Sequence, residues 1–404
     1  MRGRRLEHAA PLLALALTYA LATTVGPFSD TTVNDLFVYT SYAELLSAGQ
    51  LPYLDFGFEY PPLAAAPLWL AELPGRDEAT YAVSFALLIA PFVLAVQWLT
   101  ARLAAGERAG AQVAWLLVAM PLLIGASLRT HFDAIPVALA LGGLLALGRA
   151  RPSLGFALLA LGTMTKLFPV LLALAAFVWL AARGERPAAL RGGAIFLAIV
   201  VAISLPFAGE GYVDALRFHI ERPVQIESTP ATVLFVLGGT EVTGTNLRPD
   251  RFKSNGLDGG SADAVARLFA IALALALAAI VALAARRPDA RHMVMCGFAA
   301  LLAFVTLGKV FSPQYVIWLA PFAALAWVWG QRAVGALTAA AIVLTHVEFP
   351  SRYFDLINER TDVVLVVAAR NALLLVALVL LAARLMRPAA APARSHRPAS
   401  AAST

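Results

Sequence analysis

The residues best suited to chemistry in this chain are ionisable side chains at the ends of long apolar segments. They are Asp35, Arg129, His131, Asp133, Lys166, His219, Arg222, Glu227, Lys309, His346, Glu348 and Arg352. Charged groups at membrane depth are costly, which makes them functional candidates. Carboxylates and histidines can take up a proton, and lysine and arginine can bind an anion such as phosphate. This set therefore indicates proton transfer beside an anionic group.

Several of these residues also have a simpler explanation, which the sequence leaves open. Asp35 could serve only as a negative charge at a helix N-terminus. Lys166 could extend its ammonium group to the membrane surface. Arg129 and Asp133 are spaced to pair across one helical turn, and His219 could be an ordinary interfacial histidine.

The composition predicts the element type that must position these side chains. Apolar residues make up 60% of the 404 positions and charged residues 14%, against 45–50% and about 25% in soluble domains. Twelve apolar segments have the composition of membrane spans. They are residues 9–27, 79–104, 109–126, 132–148, 153–165, 168–182, 189–208, 263–285, 291–309, 314–330, 333–347 and 361–386. The fold class is therefore all-α, a polytopic membrane bundle of 11–12 spans.

The distribution of basic residues predicts the orientation. With the N-terminus inside, 18 of the 31 basic residues, all arginines, lie in short cytoplasmic segments, as the positive-inside rule requires. The excess of positive charge is thus a topology signal and argues against nucleic acid as a partner. Residues 28–78 and 209–262 become long extracytoplasmic loops within one domain, 1–387. Residues 388–404 form a polar tail that we predict to be disordered and cytoplasmic.

Two local patterns refine this picture. In the first loop, Thr32 or Asn34 can cap a helix over residues 33–48, whose apolar stripe suits an interfacial position. Around Lys166–Pro169 the apolar segments are short for full crossings, so they could be half-helices that meet near the outer face.

Several motifs, taken in order, resemble glycosyltransferase family 87, which has the GT-C fold and includes polyprenyl-phosphate-mannose-dependent α-mannosyltransferases. They are Asp35-Leu36-x-Val38-Tyr39, Pro52-Tyr53-x-Asp55-Phe56, Glu59-Tyr60-Pro61-Pro62-Leu63, Lys166-Leu167-Phe168-Pro169, His219-x-x-Arg222-Pro223-x-Gln225-x-Glu227-Ser228, Ser312-Pro313-Gln314-Tyr315-x-x-Trp318-Leu319 and Arg370-Asn371. The acidic DxD-type signature of many GT-C enzymes is reduced here to Asp35 preceded by Asn34. The resemblance thus implies a glycosyltransferase, and we predict that it uses neither metal nor cofactor.

The resemblance also implies a set of site residues. Asp35 is the expected general base, and His219 is an alternative base or a phosphate contact. The expected substrate-binding residues are Lys166, Arg222, Lys309, Arg129, Asp55, Glu59, Tyr60, Gln225, Glu227, Gln314 and Tyr315. Asp55 and Glu59 could equally serve loop structure, and Tyr315 could belong to an aromatic belt.

The predicted reaction moves a sugar, mannose by resemblance, from a polyprenyl-phosphate donor to a lipid or glycan acceptor. Arg and Lys side chains would stabilise the departing phosphate in place of a metal. Direct displacement with Asp35 as base would invert the anomeric centre. The expected location is the plasma membrane, with the site on the extracytoplasmic face. The alternative is a transporter or a lipid or sugar flippase, whose polar residues should lie near the membrane midplane.

Overall fold

A computed structural model describes residues 2–238, 241–243, 255–259 and 261–387 of the chain. Its helices are α1 (Arg2–Leu21), α2 (Leu36–Ser47), α3 (Ala65–Glu72), α4 (Glu78–Leu103), α5 (Glu107–Leu117), α6 (Met120–Ile124), α7 (Ser127–Thr130), α8 (Ala134–Gly148), α9 (Pro152–Thr165), α10 (Pro169–Ala182), α11 (Arg186–Ser204), α12 (Glu210–Glu221), α13 (Thr229–Leu237), α14 (Ala262–Leu283), α15 (Ala290–Leu307), α16 (Val316–Val328), α17 (Arg332–Glu348), α18 (Tyr353–Ile357) and α19 (Thr361–Met386). The fold is an all-α polytopic membrane bundle, which confirms the predicted class.

Each of the twelve predicted spans contains a helix, although their lengths differ. Within the described part of the chain, six helical segments are long and apolar enough to cross a bilayer. They are Glu78–Leu103, Glu107–Ile124, Arg186–Phe207, Ala262–Arg286, Ala290–Leu307 and Thr361–Met386. Shorter apolar helices cover five further predicted spans, and α17 covers the remaining one. The predicted span 109–126 is broken into α5 and α6 at residues 118–119.

The helices differ in how much apolar surface they bury. Helix α15 is buried along most of its length among α10, α14 and α19. In contrast, α11 and α14 leave large apolar side chains exposed, such as Leu197 and Leu275. A helix apolar all round belongs either in a protein core or against lipid. Helix α15 therefore forms the centre of the bundle, and α11 and α14 have the outer surface expected of lipid-facing helices.

Helices α8 and α9 meet at a pair of glycines. A Cβ added to Gly143 would lie 2.9 Å from the carbonyl oxygen of Gly155, and one added to Gly155 would lie 3.0 Å from that of Gly143. Only glycine permits this approach, as is common where membrane helices pack closely. The close crossing lies near the turn that joins α8 to α9, and Asp133 and Lys166 lie at the opposite ends of these two helices.

The two long loops fold over one end of the bundle. Helix α2 belongs to the first loop and starts at Leu36, three residues later than predicted. The second loop contains α12, α13 and an antiparallel three-stranded sheet in the order β1 (Val224–Gln225), β3 (Gly256–Asp258), β2 (Glu241–Thr243). The predicted fold contains no strands, so this small sheet is a feature that the sequence patterns do not predict. The predicted tail, residues 388–404, lies outside the described residues.

Candidate active site

The two loops and the adjacent helix ends enclose a cavity of about 610 Å³. Its wall is built from the start of α2, residues 59–61, the break between α9 and α10, the end of α12, β1, and the segment that precedes α16. Eleven of the thirteen predicted site residues line it, namely Asp35, Glu59, Tyr60, Lys166, His219, Arg222, Gln225, Glu227, Lys309, Gln314 and Tyr315. The chain thus brings together residues that are almost 300 positions apart.

Asp35 occupies the N-cap position of α2 but makes no capping hydrogen bond with its side chain. The Asn34 side chain accepts a hydrogen bond from the Leu36 amide instead, at 2.7 Å. The Asp35 carboxylate faces His131, with 3.3 Å between Oδ2 and Nε2, and a third of its side chain is accessible. Asp35 is therefore more than a helix cap, because its carboxylate remains available at the cavity.

Three neighbouring cationic groups act on this carboxylate. Burial alone would raise the pKa of Asp35, but the hydrogen bond and charge of His131, with the charges of Lys166 and Arg222, hold the pKa below its usual range. The group is consequently ionised at neutral pH and can accept a proton.

The His131 ring is held in place by two contacts on the side that faces away from Asp35. Its Nδ1 lies 3.0 Å from the Ser127 carbonyl oxygen and 3.1 Å from the Thr130 hydroxyl. A carbonyl oxygen only accepts, so Nδ1 carries a proton when it bonds to Ser127. The ring is thereby held with Nε2 facing the Asp35 carboxylate.

Lys166 follows the last residue of α9, where the backbone becomes extended before Pro169 starts α10. Its Nζ donates to both carboxylate oxygens of Asp133, at 2.8 and 2.7 Å. The Trp318 indole also donates to Asp133, and the Lys166 ammonium lies 5.0 Å from the Phe132 ring centre. Lys166 is thus a buried, ion-paired group at the cavity wall rather than a lysine extended to the membrane surface.

A second cationic region forms where α12 ends. Lys309 Nζ donates to the carbonyl oxygens of Ile220 and Arg222, the latter at 2.7 Å, so its charge caps the C-terminus of α12. The Arg222 guanidinium lies 5.5 Å from the Phe218 ring centre. The two cations together make this side of the cavity suited to an anion.

His219 is on the last turn of α12, and its Nε2 lies 2.9 Å from the Glu59 carbonyl oxygen. Burial, followed by the charge of Arg222, lowers the pKa of His219 below its usual value. The imidazole is therefore neutral at pH 7, with its proton on Nε2 and a lone pair on Nδ1.

Gln225 and Glu227 follow Arg222 closely in the second loop but have different partners. Gln225 Nε2 donates to Glu227 Oε2 at 2.7 Å. The backbone carbonyl oxygen of Glu227 accepts from the buried guanidinium of Arg370 and, at 3.3 Å, from Asn371. The Glu348 carboxyl lies 3.8 Å from Arg370 Nη1. One buried guanidinium thus faces the Glu348 carboxyl and bonds to the backbone of Glu227.

Aromatic rings complete the wall. Tyr315 stacks on Trp318 with 3.9 Å between ring centres, and Phe168 stacks on the same indole at 4.3 Å. Tyr60 packs edge-on against Phe132, with 5.1 Å between centres. This surface is flat and apolar beside the charged groups, and it suits a sugar ring or an isoprenoid chain.

Comparison with protein-family models gives a match to glycosyltransferase family 87 over residues 58–313, more than half of the chain. The chain belongs to glycosyltransferase family 87. No curated protein matches it. The protein is therefore a membrane glycosyltransferase, which favours the enzyme over the transporter or flippase. The matched range contains most of the cavity residues, but Asp35 precedes it.

Two predicted site residues of this family 87 protein do not line the cavity. Arg129 donates to the Ser29 carbonyl oxygen at 2.9 Å and ties the first loop to α7. Asp55 accepts from the Leu51 amide at 2.7 Å and closes a turn. Both contacts are within the protein, and they fit a role in loop structure.

Sequence analysis named His131, Asp133 and Trp318 without assigning them to the substrate site, and it overlooked Asn255 and Tyr353, which line the cavity. The signal for His131 and Asp133 was their position beside the same apolar segment. The sequence around Asn255 contains no pattern that would indicate a site residue. Its side-chain amide donates to the Tyr353 hydroxyl at 3.0 Å, although the two residues are 98 positions apart in the chain.

Within the described residues, no three His, Cys, Asp or Glu side chains are grouped so that they could hold a metal ion. The prediction that the enzyme uses no metal or cofactor stays a prediction.

Proposed function

We propose that this glycosyltransferase moves mannose from a polyprenyl-phosphate donor to a lipid or glycan acceptor. The observation that carries the proposal is the position of the Asp35 carboxylate in one cavity with Arg222, Lys309 and Lys166. A lipid-phosphate donor requires cations for the phosphate, an apolar surface for its chain and a base for the acceptor hydroxyl.

The donor phosphate would lie on the side of Arg222 and Lys309, where the end of α12 brings two cations together. The net charge at the cavity supports this position, because Lys166 is already balanced by Asp133. Lys166 would contribute long-range attraction, and His219 would contact the phosphate or serve as an alternative base. Glu59, Tyr60, Gln314 and Tyr315 would complete the substrate contacts around the sugar.

The polyprenyl chain would leave the cavity sideways. Exposed apolar side chains form part of the cavity wall, namely Phe37, Leu167 and Phe354, which are 69%, 41% and 56% exposed. Exposure of these apolar side chains to lipid costs no free energy, unlike exposure to water. They therefore suit an opening between the cavity and the bilayer.

The proposed reaction is a single displacement with inversion. The acceptor oxygen forms a bond to the anomeric carbon while its proton passes to Asp35. The bond from the anomeric carbon to the phosphate oxygen breaks, and its electron pair leaves with polyprenyl phosphate. Arg222 and Lys309 stabilise the charge that develops on this leaving group, as preorganised cations do in phosphate-releasing enzymes.

We place the reaction on the extracytoplasmic face of the plasma membrane. The support is the arginine distribution in the sequence, which assigns residues 28–78 and 209–262 to that side, and the location of both loops at the cavity.

The test is to incubate the purified protein with radiolabelled polyprenyl-phosphate mannose and a lipid extract. Transfer of label to an acceptor, with release of polyprenyl phosphate, is expected. If mannose is not transferred while polyprenyl-phosphate glucose or another sugar donor is used, the sugar assignment is wrong. If no polyprenyl-phosphate sugar is used, the donor assignment is wrong.

A further inference from the structure

Two buried oxygens on the cavity wall lack hydrogen-bond partners among the described residues. They are Gln225 Oε1 and Glu227 Oε1. Gln225 is 3% exposed and Glu227 is fully buried, and both side chains line the cavity. Burying a polar atom without a hydrogen bond costs free energy, and natural proteins rarely leave such an atom unsatisfied. Two such atoms on one wall indicate a position where a ligand supplies the missing hydrogens.

The neighbouring contacts fix the chemical character of both atoms. Gln225 Nε2 donates to Glu227 Oε2, so the other end of the amide must be the acceptor oxygen. The backbone is also fixed, because the Gln225 amide donates to the Lys309 carbonyl oxygen at 2.9 Å. The Glu227 carbonyl is bonded to Arg370 and Asn371. The wall is therefore preorganised to accept hydrogen bonds.

The charge of this wall distinguishes its ligand from phosphate. Burial, together with the nearby Glu348 carboxyl, raises the pKa of Glu227 well above its usual value, although Arg370 opposes the shift. The open oxygens of the Gln225 amide and the Glu227 carboxyl both accept hydrogen bonds, which matches the O–H donors of a sugar. A phosphate would bring only acceptors and negative charge to a wall whose open positions are acceptors.

Asp35 lines the same cavity as Gln225, Glu227, Arg222 and Lys309. The Gln225 backbone N–H donates to the Lys309 carbonyl oxygen, so the hydroxyl-accepting groups adjoin the cationic ones. An acceptor sugar bound at Gln225 and Glu227 can therefore present one hydroxyl to Asp35 while the donor phosphate lies at Arg222 and Lys309.

We propose that Gln225 and Glu227 form the acceptor subsite, and that they bind hydroxyl groups of a sugar or polyol acceptor. The inference rests on the proposed glycosyl transfer, since it assigns one of the two substrates of that reaction to a defined wall.

The test compares Glu227→Gln with Glu348→Gln. In Glu227→Gln, the new amide oxygen should keep the bond from Gln225, so an NH₂ group replaces Oε1 at the cavity and reverses its hydrogen-bonding sense. We expect the acceptor KM to rise about tenfold (about 1.4 kcal/mol) and the donor KM to stay unchanged. Glu348→Gln removes a carboxyl from the same guanidinium but does not alter the cavity wall, so its acceptor KM should stay within about twofold.

Three results would overturn the assignment. These are an unchanged acceptor KM in Glu227→Gln, an equal rise in donor KM, and an equal rise in acceptor KM in Glu348→Gln. The last result would mean that the effect arises from the buried charges around Arg370 rather than from a contact between Glu227 and the acceptor.

Saturation-transfer NMR separates this inference from the proposed reaction. Methyl α-mannoside is used as the probe without donor, and wild-type protein should show transfer that weakens in Glu227→Gln but persists in Glu348→Gln. Binding with this pattern in a protein that fails to use polyprenyl-phosphate sugars would reject the donor and retain the subsite. Mannosyl transfer without any effect of Glu227→Gln on KM or on NMR would retain the function and reject the subsite.

Discussion

Two buried clusters, each with acidic and basic side chains, lie beside the cavity. The polar atoms of the two clusters have their hydrogen bonds completed to different degrees. Lys166 and Asp133 form a one-to-one pair in which both carboxylate oxygens are hydrogen-bonded and Trp318 adds a further donor. Arg370 instead lies 3.8 Å from the Glu348 carboxyl and donates to the backbone carbonyl oxygen of Glu227. Neither oxygen of the Glu348 carboxyl has a hydrogen-bond partner in the described part of the chain, and Glu227 has one such oxygen.

The difference indicates two separate tasks. A complete ion pair has nothing left to offer a ligand, so the Lys166–Asp133 pair serves to fix the helix ends around Asp35. A cluster with surplus carboxyl oxygens is stable only if protons or ligands complete it. The second cluster therefore borders the region where we place the acceptor, and the first one borders the base.

The largest effect is expected at Asp35, which belongs to neither cluster. Asp35→Asn preserves size but cannot take up a proton, so turnover should fall about 10²–10⁴-fold, as for the loss of a general base. Expression and donor binding should remain close to wild type. Asp55→Asn, which changes a carboxylate away from the cavity, should lower turnover less. Steady-state assays check both variants, and wild-type turnover by Asp35→Asn would make His219 the leading candidate base.

Breaking the complete pair should mainly affect stability. Asp133→Asn leaves a buried ammonium without its counter-charge, which typically costs about 3–5 kcal/mol. Glu348→Gln should cost less than about 1 kcal/mol, because neither Glu348 oxygen makes a hydrogen bond within the described residues and Arg370 keeps its bond to the Glu227 carbonyl oxygen. Thermal unfolding in detergent measures both. Equal losses of stability in the two variants would show that the two clusters do not differ in the way described. The double variant Asp133→Leu/Lys166→Met removes both charges, so it should recover most of the stability that Asp133→Asn loses.

The sequence predicts the helices of the bundle, but it does not predict the break within a helix or the short strands. Long apolar runs predicted each span, because a membrane requires about 20 such residues. The break between α5 and α6 was missed since the run stays apolar through Pro121, and only the backbone changes. The strands were missed because β1 pairs with β3 across about 30 positions, and such non-local pairing leaves no periodic signal in three residues.

The same limit applies to the site. Spacing suggested that Asp133 pairs with Arg129 on one helix. The structure shows that this is wrong, because α7 ends at Thr130 and α8 starts at Ala134, so the two residues are not on one helix. Asp133 instead bonds Lys166, which is 33 positions away. The sequence predicted which residue types gather at the outer helix ends, whereas their pairing depends on tertiary contacts.

His131 provides a test with a smaller effect and a specific signature. Its proton stabilises the ionised form of Asp35, so His131→Gln should raise the Asp35 pKa and move the acid limb of kcat/KM to higher pH. A hydrogen bond to a charged group contributes about 1.5–3 kcal/mol, which corresponds to a shift of the acid limb by about 1–2 pH units. His346→Gln is the matched control, because His346 stacks on Phe28 and does not line the cavity. An acid limb that does not move would exclude His131 as the positioning residue of Asp35.

The smallest effect should come from the incomplete cluster, as a change in how stability depends on pH. The pKa of Glu227 is raised in the folded protein by burial and by Glu348, whereas in the unfolded chain it has its usual value near 4.5. The folded state therefore binds this proton more tightly, and stability is lost as pH rises from that value through the folded pKa. Glu227→Gln has no such proton, so its Tm relative to wild type should increase with pH. We expect a change of roughly 1–2 °C, about 1 kcal/mol or less for a chain of this size. Glu44→Gln, which removes an exposed carboxyl on α2, should leave the pH dependence unchanged. A Tm difference between Glu227→Gln and wild type that stays constant or shrinks with pH would mean that Arg370 holds Glu227 ionised, and the two clusters would then be equally satisfied.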